Sequence, residues 1–574
     1  MAIPLQELAA GPLEAVSRRE LNTLIQQNAL NRLWAKDHTL WPADSSSFNV
    51  KAQLSWLDLP DLMQPHMARL SELAGKLEPN GFEDIVFVAM GAANLAAEAI
   101  LRFPTAKLAN RLILLDTIDP ASIRAVEESI RLDRTLFVFS TKSGKNIETH
   151  AILLYFLQRL KAAGVSSPGK HFVALTEQDS YLAQLACEYN FNDVFLDPIG
   201  IRGRFSSLIH FDLFLSSICR FAPSDLSAQA AAMREACGPG TKGESNPALA
   251  LASLLAAAEL EGYDRLVFLN PKNLSFLAYR IGHLVGESTA KNRRGIVPML
   301  GRHCPPLEFF KERCVVAAFR MVDQDDPELA ERLRELREAS VPLVEIDLAG
   351  AHHFGVELFK WEIAVALACA LLDRNPFTEP DVHGGRERTT HFLGEVMRRE
   401  VAPRIRESGI DLFAEGETRR QISTLSLSEA LRTFFQLRRN DGYAALLPFL
   451  GFNSEHSAIL CRIRTLLCGS LRFPVLLTAG PGYLHALGQV YKGGPAKGIF
   501  LMMTSDSDKD LAIPGAGYTF GQLQMAVALA DFESLHSRER PVLRLHFAEG
   551  AGNGLMQLES VLTQALRNSR MIAT

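Results

Sequence analysis

The chain lacks the usual marks of a secreted, membrane-spanning or nucleic-acid-binding protein. No stretch approaches the ~18 uninterrupted apolar residues of a membrane-crossing helix. The opening MAIPLQELAAGPLEAVSRREL has neither the basic start nor the continuous apolar run of a secretory signal. The expected compartment is the cytoplasm, with no membrane contact. A formal charge of -5 over 574 residues supplies no basic field, and Lys and Arg are scattered, which argues against nucleic acid as a partner. The eight cysteines never form a C-x-x-C pair and lie mostly in apolar contexts, so reduced core thiols are expected and neither disulfides nor a zinc site.

What the chain does have is length and alternation. It is too long for one ordinary core, so two or three domains are expected. Short apolar runs, DIVFVAM (84–90), RLILLDT (111–117), TLFVFS (135–140), HFVALTE (171–177) and DVFLD (193–197), alternate with segments such as IETHAILLYFLQRLKAAG, whose apolar residues recur at i, i+3 and i+4. Buried runs separated by crossover helices predict a mostly parallel sheet covered on both faces. The small, polar region 222–246 reads as a linker. A second β/α series follows with DRLVFLN (264–270), CVVAAFRM (314–321) and PLVEIDL (342–348). Residues 383–472 read as mainly helical, and strand-like runs return at PVLLTAG (474–480), GIFLMMT (498–504) and PVLRLHF (541–547).

One junction carries chemistry. In LFVFSTKSGKNIETHAIL (136–153) a strand runs into a turn of short hydroxyl, amide and ammonium groups at the mouth of a helix. A helix N-terminus offers unpaired N–H groups and a partial positive charge, so such an entrance binds anions. Thr141, Ser143 and Asn146 could donate hydrogen bonds, and Lys142 or Lys145 could supply a cation; a phosphate fits that inventory. The alternative is that Ser143 or Asn146 simply caps the helix. Both readings use the same residues and are compatible.

STKSGKNIET resembles the turn with which phosphoglucose isomerases and other sugar isomerase domains grip a sugar phosphate. In the same order, GIRGRFSSLIHFDLF is similar to that family's G-G-R-[FY]-S segment, HLVGESTAKNRRGIVPM to its E-S-[TN]-x-K segment, and RNPFTEPDV to its N-P-F-x-Q-P-x-V segment. The C-terminal third is most similar to the isomerase half of bifunctional transaldolase/glucose-6-phosphate isomerases. No stretch corresponds to the transaldolase half.

The resemblance implies an α/β protein with two sugar isomerase subdomains, each a mostly parallel sheet flanked by helices, plus a helical insertion and a C-terminal tail. The expected divisions are an N-terminal helical segment (1–75), a first subdomain with the phosphate turn (76–222), a second built from 247–382 and 473–574, and the insertion at 383–472. It implies interconversion of glucose 6-phosphate and fructose 6-phosphate through a cis-enediol(ate), a reaction of glycolysis and gluconeogenesis. Glu287 matches the family's base and Arg204 the guanidinium that steadies the enediolate. Gly91, Thr141, Lys142, Ser143, Lys145 and Asn146 fall at the positions of its substrate and phosphate site, and Glu148 matches a carboxylate that helps order it. No cofactor or metal is implied. A sugar phosphate is the expected small-molecule partner, a homodimer the expected assembly, and a transaldolase would have to be a separate protein.

Without the resemblance these residues read differently. Glu287 would be a solvated helix residue four before Lys291, Arg204 an exposed arginine beside Gly203, His352 and His353 turn or surface residues, and His485 a satisfied helix residue. The chain also departs from the family. Ala93 stands where a serine is usual, and Lys145 and Asn146 replace two threonines of the phosphate turn. Tyr491 or Lys492 falls at the ring-opening histidine, and Gln522 or Gln524 at the lysine assisting that step. The expected enzyme is therefore a slow isomerase or one preferring open-chain sugars, and the alternative is a non-catalytic sugar-phosphate-binding homologue acting as a sensor or assembly partner.

Overall fold

A computed structural model describes residues 3–43, 50–77, 79, 81–90, 110–142, 144, 146–201, 203–218, 223–241, 243–299, 313–350, 353–382, 384–396, 402–422, 425–451, 453–507 and 509–570. Within them the strands form three sheets. The chain opens with β1 (Leu5–Ala9), and β2 (Asp84–Val88), β3 (Arg111–Leu115), β4 (Thr135–Ser140), β5 (Phe172–Glu177) and β6 (Asp193–Asp197) follow. These last five pair in the order β3-β2-β4-β5-β6, all parallel. All of β2 and most of β4 and β5 are buried, which is why the sequence shows unbroken apolar runs there instead of alternation.

The second sheet contains β7 (Arg265–Leu269), β8 (Val297–Met299), β9 (Cys314–Met321) and β10 (Leu343–Leu348), ordered β1-β10-β9-β7-β8. Its pairs are parallel except β1, which runs antiparallel along β10. The otherwise helical N-terminal segment (1–75) thus contributes an edge strand. Its alternating exposure is the pattern of a strand with one face on the protein.

The strands of the C-terminal third do not extend this second sheet. β11 (Ile405–Glu407), β12 (Ile410–Phe413), β13 (Tyr443–Phe449), β14 (Val475–Leu477), β15 (Gly498–Ser505) and β16 (Val542–Phe547) form a third sheet, ordered β11-β12-β16-β15-β13-β14. The expected division into an insertion (383–472) and a late return to the second subdomain (473–574) is therefore corrected: the two stretches share one α/β unit. Its inner strand β13 lies in the supposed helical stripe NDGYAALLPFL and pairs with β15 from Tyr443↔Gly498 to Phe449↔Thr504. A short, fully apolar run gives no period by which strand and helix can be told apart.

The supposed linker is corrected as well. Its Ala-rich part is the helix Pro223–Ala236, which packs on the helix His353–Leu371 and buries Ala230 and Met233. One core is shared by the first two sheets, a second joins the other face of the first sheet to the third, and a third lies under the outer face of the third sheet. Among the described residues no helix is long and apolar enough to cross a membrane. Of the six described cysteines, Cys187 and Cys461 are exposed and not core residues.

Candidate active site

The turn after β4 is built to hold its shape. Asn146 is the N-cap of the helix Ile147–Ala162, and its Oδ1 accepts from the backbone N–H of Glu148 (3.0 Å) and Thr149 (3.3 Å). The cap reading is thus correct for Asn146. The Thr176 hydroxyl lies within hydrogen-bonding distance of the carbonyls of Thr141 (2.6 Å) and Lys142 (3.0 Å), and the Glu177 N–H donates to the latter at 3.2 Å. Gly144 has φ +68°, and a Cβ there would overlap the Leu182 backbone, so only glycine fits. The Lys142 ammonium donates to the Ile201 carbonyl. Ser143, Lys145, Gly91 and Ala93 lie outside the described residues.

Thr141, Lys142, Asn146 and Glu148 line a cavity of about 740 Å³ at the C-terminal ends of β4 to β6. This is where ligands bind in open parallel sheets. The opposite walls come from the helix Ser275–Thr289 beside the second sheet, from Glu379, and from the third unit through His485, Lys492 and the helix Phe520–His536.

On Ser275–Thr289 the spacing Arg280, His283, Glu287 places three functional groups along one face. Arg280 and His283 line the cavity, whereas Glu287 does not. The Glu287 side chain is only 7% exposed, because its Oε2 lies 2.9 Å from His283 Nε2 and 3.3 Å from Arg204 Nη1. Lys291, the expected surface partner, instead donates to the carbonyls of Glu287 (3.1 Å) and Ser288 (2.5 Å). Burial, aided by the Arg204 charge, pushes its ammonium down to about 7.

Arg204 lies on the loop expected to carry it, but its guanidinium does not face the cavity. The side chain is 1% exposed. Its N–H groups donate to Pro376 O (3.0 and 2.7 Å), Thr378 O (3.3 Å), Glu287 and Glu379. A guanidinium has five N–H donors, and all are occupied. The motif position that usually carries Gln is Glu379 here, and its carboxylate claims the arginine. The guanidinium side chains that line the cavity among the described residues are those of Arg280, held by Asp212 at 3.0 Å, and Arg388.

The third unit separates the alternatives left open at its motifs. Tyr491 is buried, with its hydroxyl 3.1 Å from that of Thr478, and does not line the cavity. Lys492 does, paired with Asp531 at 2.7 Å. Gln522 faces neither Lys492 nor the cavity: its side chain accepts from the Thr519 N–H at 3.0 Å in a capping box. His485, expected to be a satisfied helix residue, stands in the cavity with 36% of its side chain exposed and Nε2 3.8 Å from Glu148 Oε1. Burial lowers its affinity for a proton, but Glu148 and more distant Glu287 outweigh that and hold its pKa above the ordinary imidazole value. His353 is buried and accepts through Nδ1 from the Ala349 N–H at 3.1 Å, so it is not a surface residue; His352 lies outside the described residues.

No family model matches the chain. A probable glucose-6-phosphate isomerase of Haloquadratum walsbyi is 26% identical over 362 residues, spanning 56% of this chain and 82% of that protein. A glucose-6-phosphate isomerase of Carboxydothermus hydrogenoformans is 26% identical over 412 residues, 61% of this chain and 88% of that protein. Over these spans the chain is similar to glucose-6-phosphate isomerases. The crystal structure of a glucose-6-phosphate isomerase from Chlamydia trachomatis has the same fold, with a TM-score of 0.56 at 18% identity over 67% of this chain and 86% of that one. Within that fold, sequence reasoning missed Arg280, His283, Asp531 and the placing of His485. The i, i+3, i+7 spacing before Glu287 was the available signal for the first two.

Proposed function

We propose that the protein interconverts glucose 6-phosphate and fructose 6-phosphate through a cis-enediol(ate), the step shared by glycolysis and gluconeogenesis. The observation that carries this reading is one cavity with an anion-binding turn on one wall and acid-base groups on the others. The capped helix entrance at Asn146, with Thr141 and Lys142, would hold the phosphate. That remote contact positions the reacting carbons without joining the chemistry. The Glu287 and His283 pair would move the proton between adjacent carbons, and the Arg280 charge would oppose the developing enediolate oxygen. His485, kept protonated more readily by Glu148, would protonate the ring oxygen of a cyclic sugar. It would replace the function expected near Tyr491 and Gln522, which are turned away from the cavity.

The test is conversion of fructose 6-phosphate to glucose 6-phosphate, read through a coupled dehydrogenase, in the wild type and Glu287→Gln. A fall of ~10³-fold in the variant supports the reading. A second reading, sugar-phosphate binding without turnover, is favoured by the full occupation of the Arg204 donors. It would be established by a wild type that binds a sugar-acid phosphate resembling the enediolate yet converts no substrate.

A further inference from the structure

We infer that Glu379 sets the ligand class of this site: its carboxylate, on Arg204 at the reacting end of the cavity, disfavours sugar acids and admits phosphosugars that are neutral or cationic there. The inference rests on the isomerase reading of this cavity and deepens it. Glu379 lines the same cavity as the phosphate turn at Asn146. Arg204 Nη1 donates to Glu379 Oε1 and, at 3.3 Å, to Glu287 Oε2, so one nitrogen bridges the two carboxylates. Glu379 therefore lies beside the proposed base, at the end where the carbonyl of a bound sugar would be. Its side chain is 23% exposed against 1% for Arg204. The member of this ion pair that the cavity presents is the negative one.

A guanidinium is the side chain best shaped to bind a ligand carboxylate, through two parallel hydrogen bonds. In Arg204 those donors are occupied by the carbonyls of Pro376 and Thr378 and by Glu287 and Glu379. Burial works against the guanidinium's charge, but Glu379 first and Glu287 second outweigh it and hold its pKa above the ordinary value. A ligand carboxylate at this end must displace Glu379 from Arg204 or sit beside it. Like charges a few ångströms apart in a partly buried site weaken binding by ~10-fold or more. A hydroxyl meets no such repulsion and can donate to Glu379, and an ammonium is attracted to it. A placed like charge discriminates between ligands as well as an added contact does. Glutamine at this position would fill the same volume without the charge.

Three ligands with a common phosphate end test the assignment by calorimetry on the wild-type protein: 5-phosphoarabinonate, arabinitol 5-phosphate and 1-amino-1-deoxyarabinitol 5-phosphate. They place a carboxylate, an alcohol and an ammonium at the same carbon. The expected order has the ammonium tightest and the carboxylate weakest, ~10-fold or more below the alcohol. Glu379→Gln should close the gap between carboxylate and alcohol, whereas Glu379→Asp, which keeps the charge, should preserve it. Thermal melting reads the folding of both variants separately, and the wild-type series decides the matter where a variant does not fold. Equal affinities in the wild type, or a carboxylate bound more tightly than the alcohol, would overturn the inference, as would an unchanged gap in a folded Glu379→Gln. None of these measurements depends on turnover, so the expected order in a wild type that converts no fructose 6-phosphate would overturn the isomerase reading and leave the discrimination standing. Failure of all three ligands to bind would overturn both.

Discussion

Arg204 spends its donors on two backbone carbonyls and two carboxylates, so its removal should act on folding as well as on the site. Breaking a buried pair leaves uncompensated charge, and here Glu287 and Glu379 would face each other without a cation. We expect Arg204→Met to lower unfolding free energy by roughly 3 kcal/mol, measured by the urea midpoint, together with a loss of turnover. An Arg204 that served substrate alone would leave the midpoint unchanged. The motif identified this residue, but not that the neighbouring Glu379 would hold it away from the cavity. That depends on a carboxylate far along the chain, and no local spacing encodes it.

A second residue sets a pH dependence. Glu362 is buried and accepts from the Ser207 N–H (2.9 Å) and hydroxyl (2.6 Å), tying down the segment just after Arg204. Burial pushes its carboxyl up from 4.5 to about 7, against the pull of the Ser207 bonds and Arg280, with Asp212 adding to the rise. The folded state therefore binds a proton more tightly than the unfolded chain. That contribution to stability is complete below about pH 4.5 and is lost as pH rises to about 7, by up to roughly 3 kcal/mol. We expect Glu362→Gln to flatten this slope in melts between those pH values; an unchanged slope would place the titration elsewhere.

At the scale of elements, the strand, turn and helix from Leu136 onward were legible because each piece carries its own signal: a buried apolar run, a cluster of turn formers, and an i, i+3, i+4 stripe. Asn146 serves as the cap of a turn that also lines the cavity. Asn146→Ala should cost ~1 kcal/mol in stability and raise KM for the sugar phosphate while changing kcat little. A KM equal to wild type would remove the turn from substrate binding. The helix Ser275–Thr289 was legible as a helix, yet the residues of its cavity face were not. Arg280 and His283 gain their meaning from what stands opposite them, which periodicity does not report.

At the scale of the molecule, the first two sheets followed from the alternation of apolar runs and helices, while the third did not. β13 reads equally as helix or strand, and β14 to β16 could have joined an existing sheet; only long-range pairing decides. That third unit is seated through Gln489, fully buried. Its Nε2 donates to Ala290 O and Asp381 Oδ2, both at 2.7 Å, while its Oε1 accepts from the Asp381 N–H at 3.1 Å. Gln489→Leu strands all three groups. We expect a loss of roughly 3 kcal/mol or more in stability and a larger KM, because His485 and Lys492 flank this joint. A variant with wild-type melting and kinetics would show that the joint does not govern the site.

The presence of His485, Lys492 and Asp531 on the same polypeptide as Asn146 and His283 has a consequence for concentration. Groups joined by a covalent chain meet at an effective concentration set by the tether and the fold, independent of how much protein is in solution. For this pocket, the walls described need no encounter between molecules to come together. Turnover per chain should therefore stay constant on serial dilution from micromolar to picomolar, where a site shared between weakly associated chains would fall away.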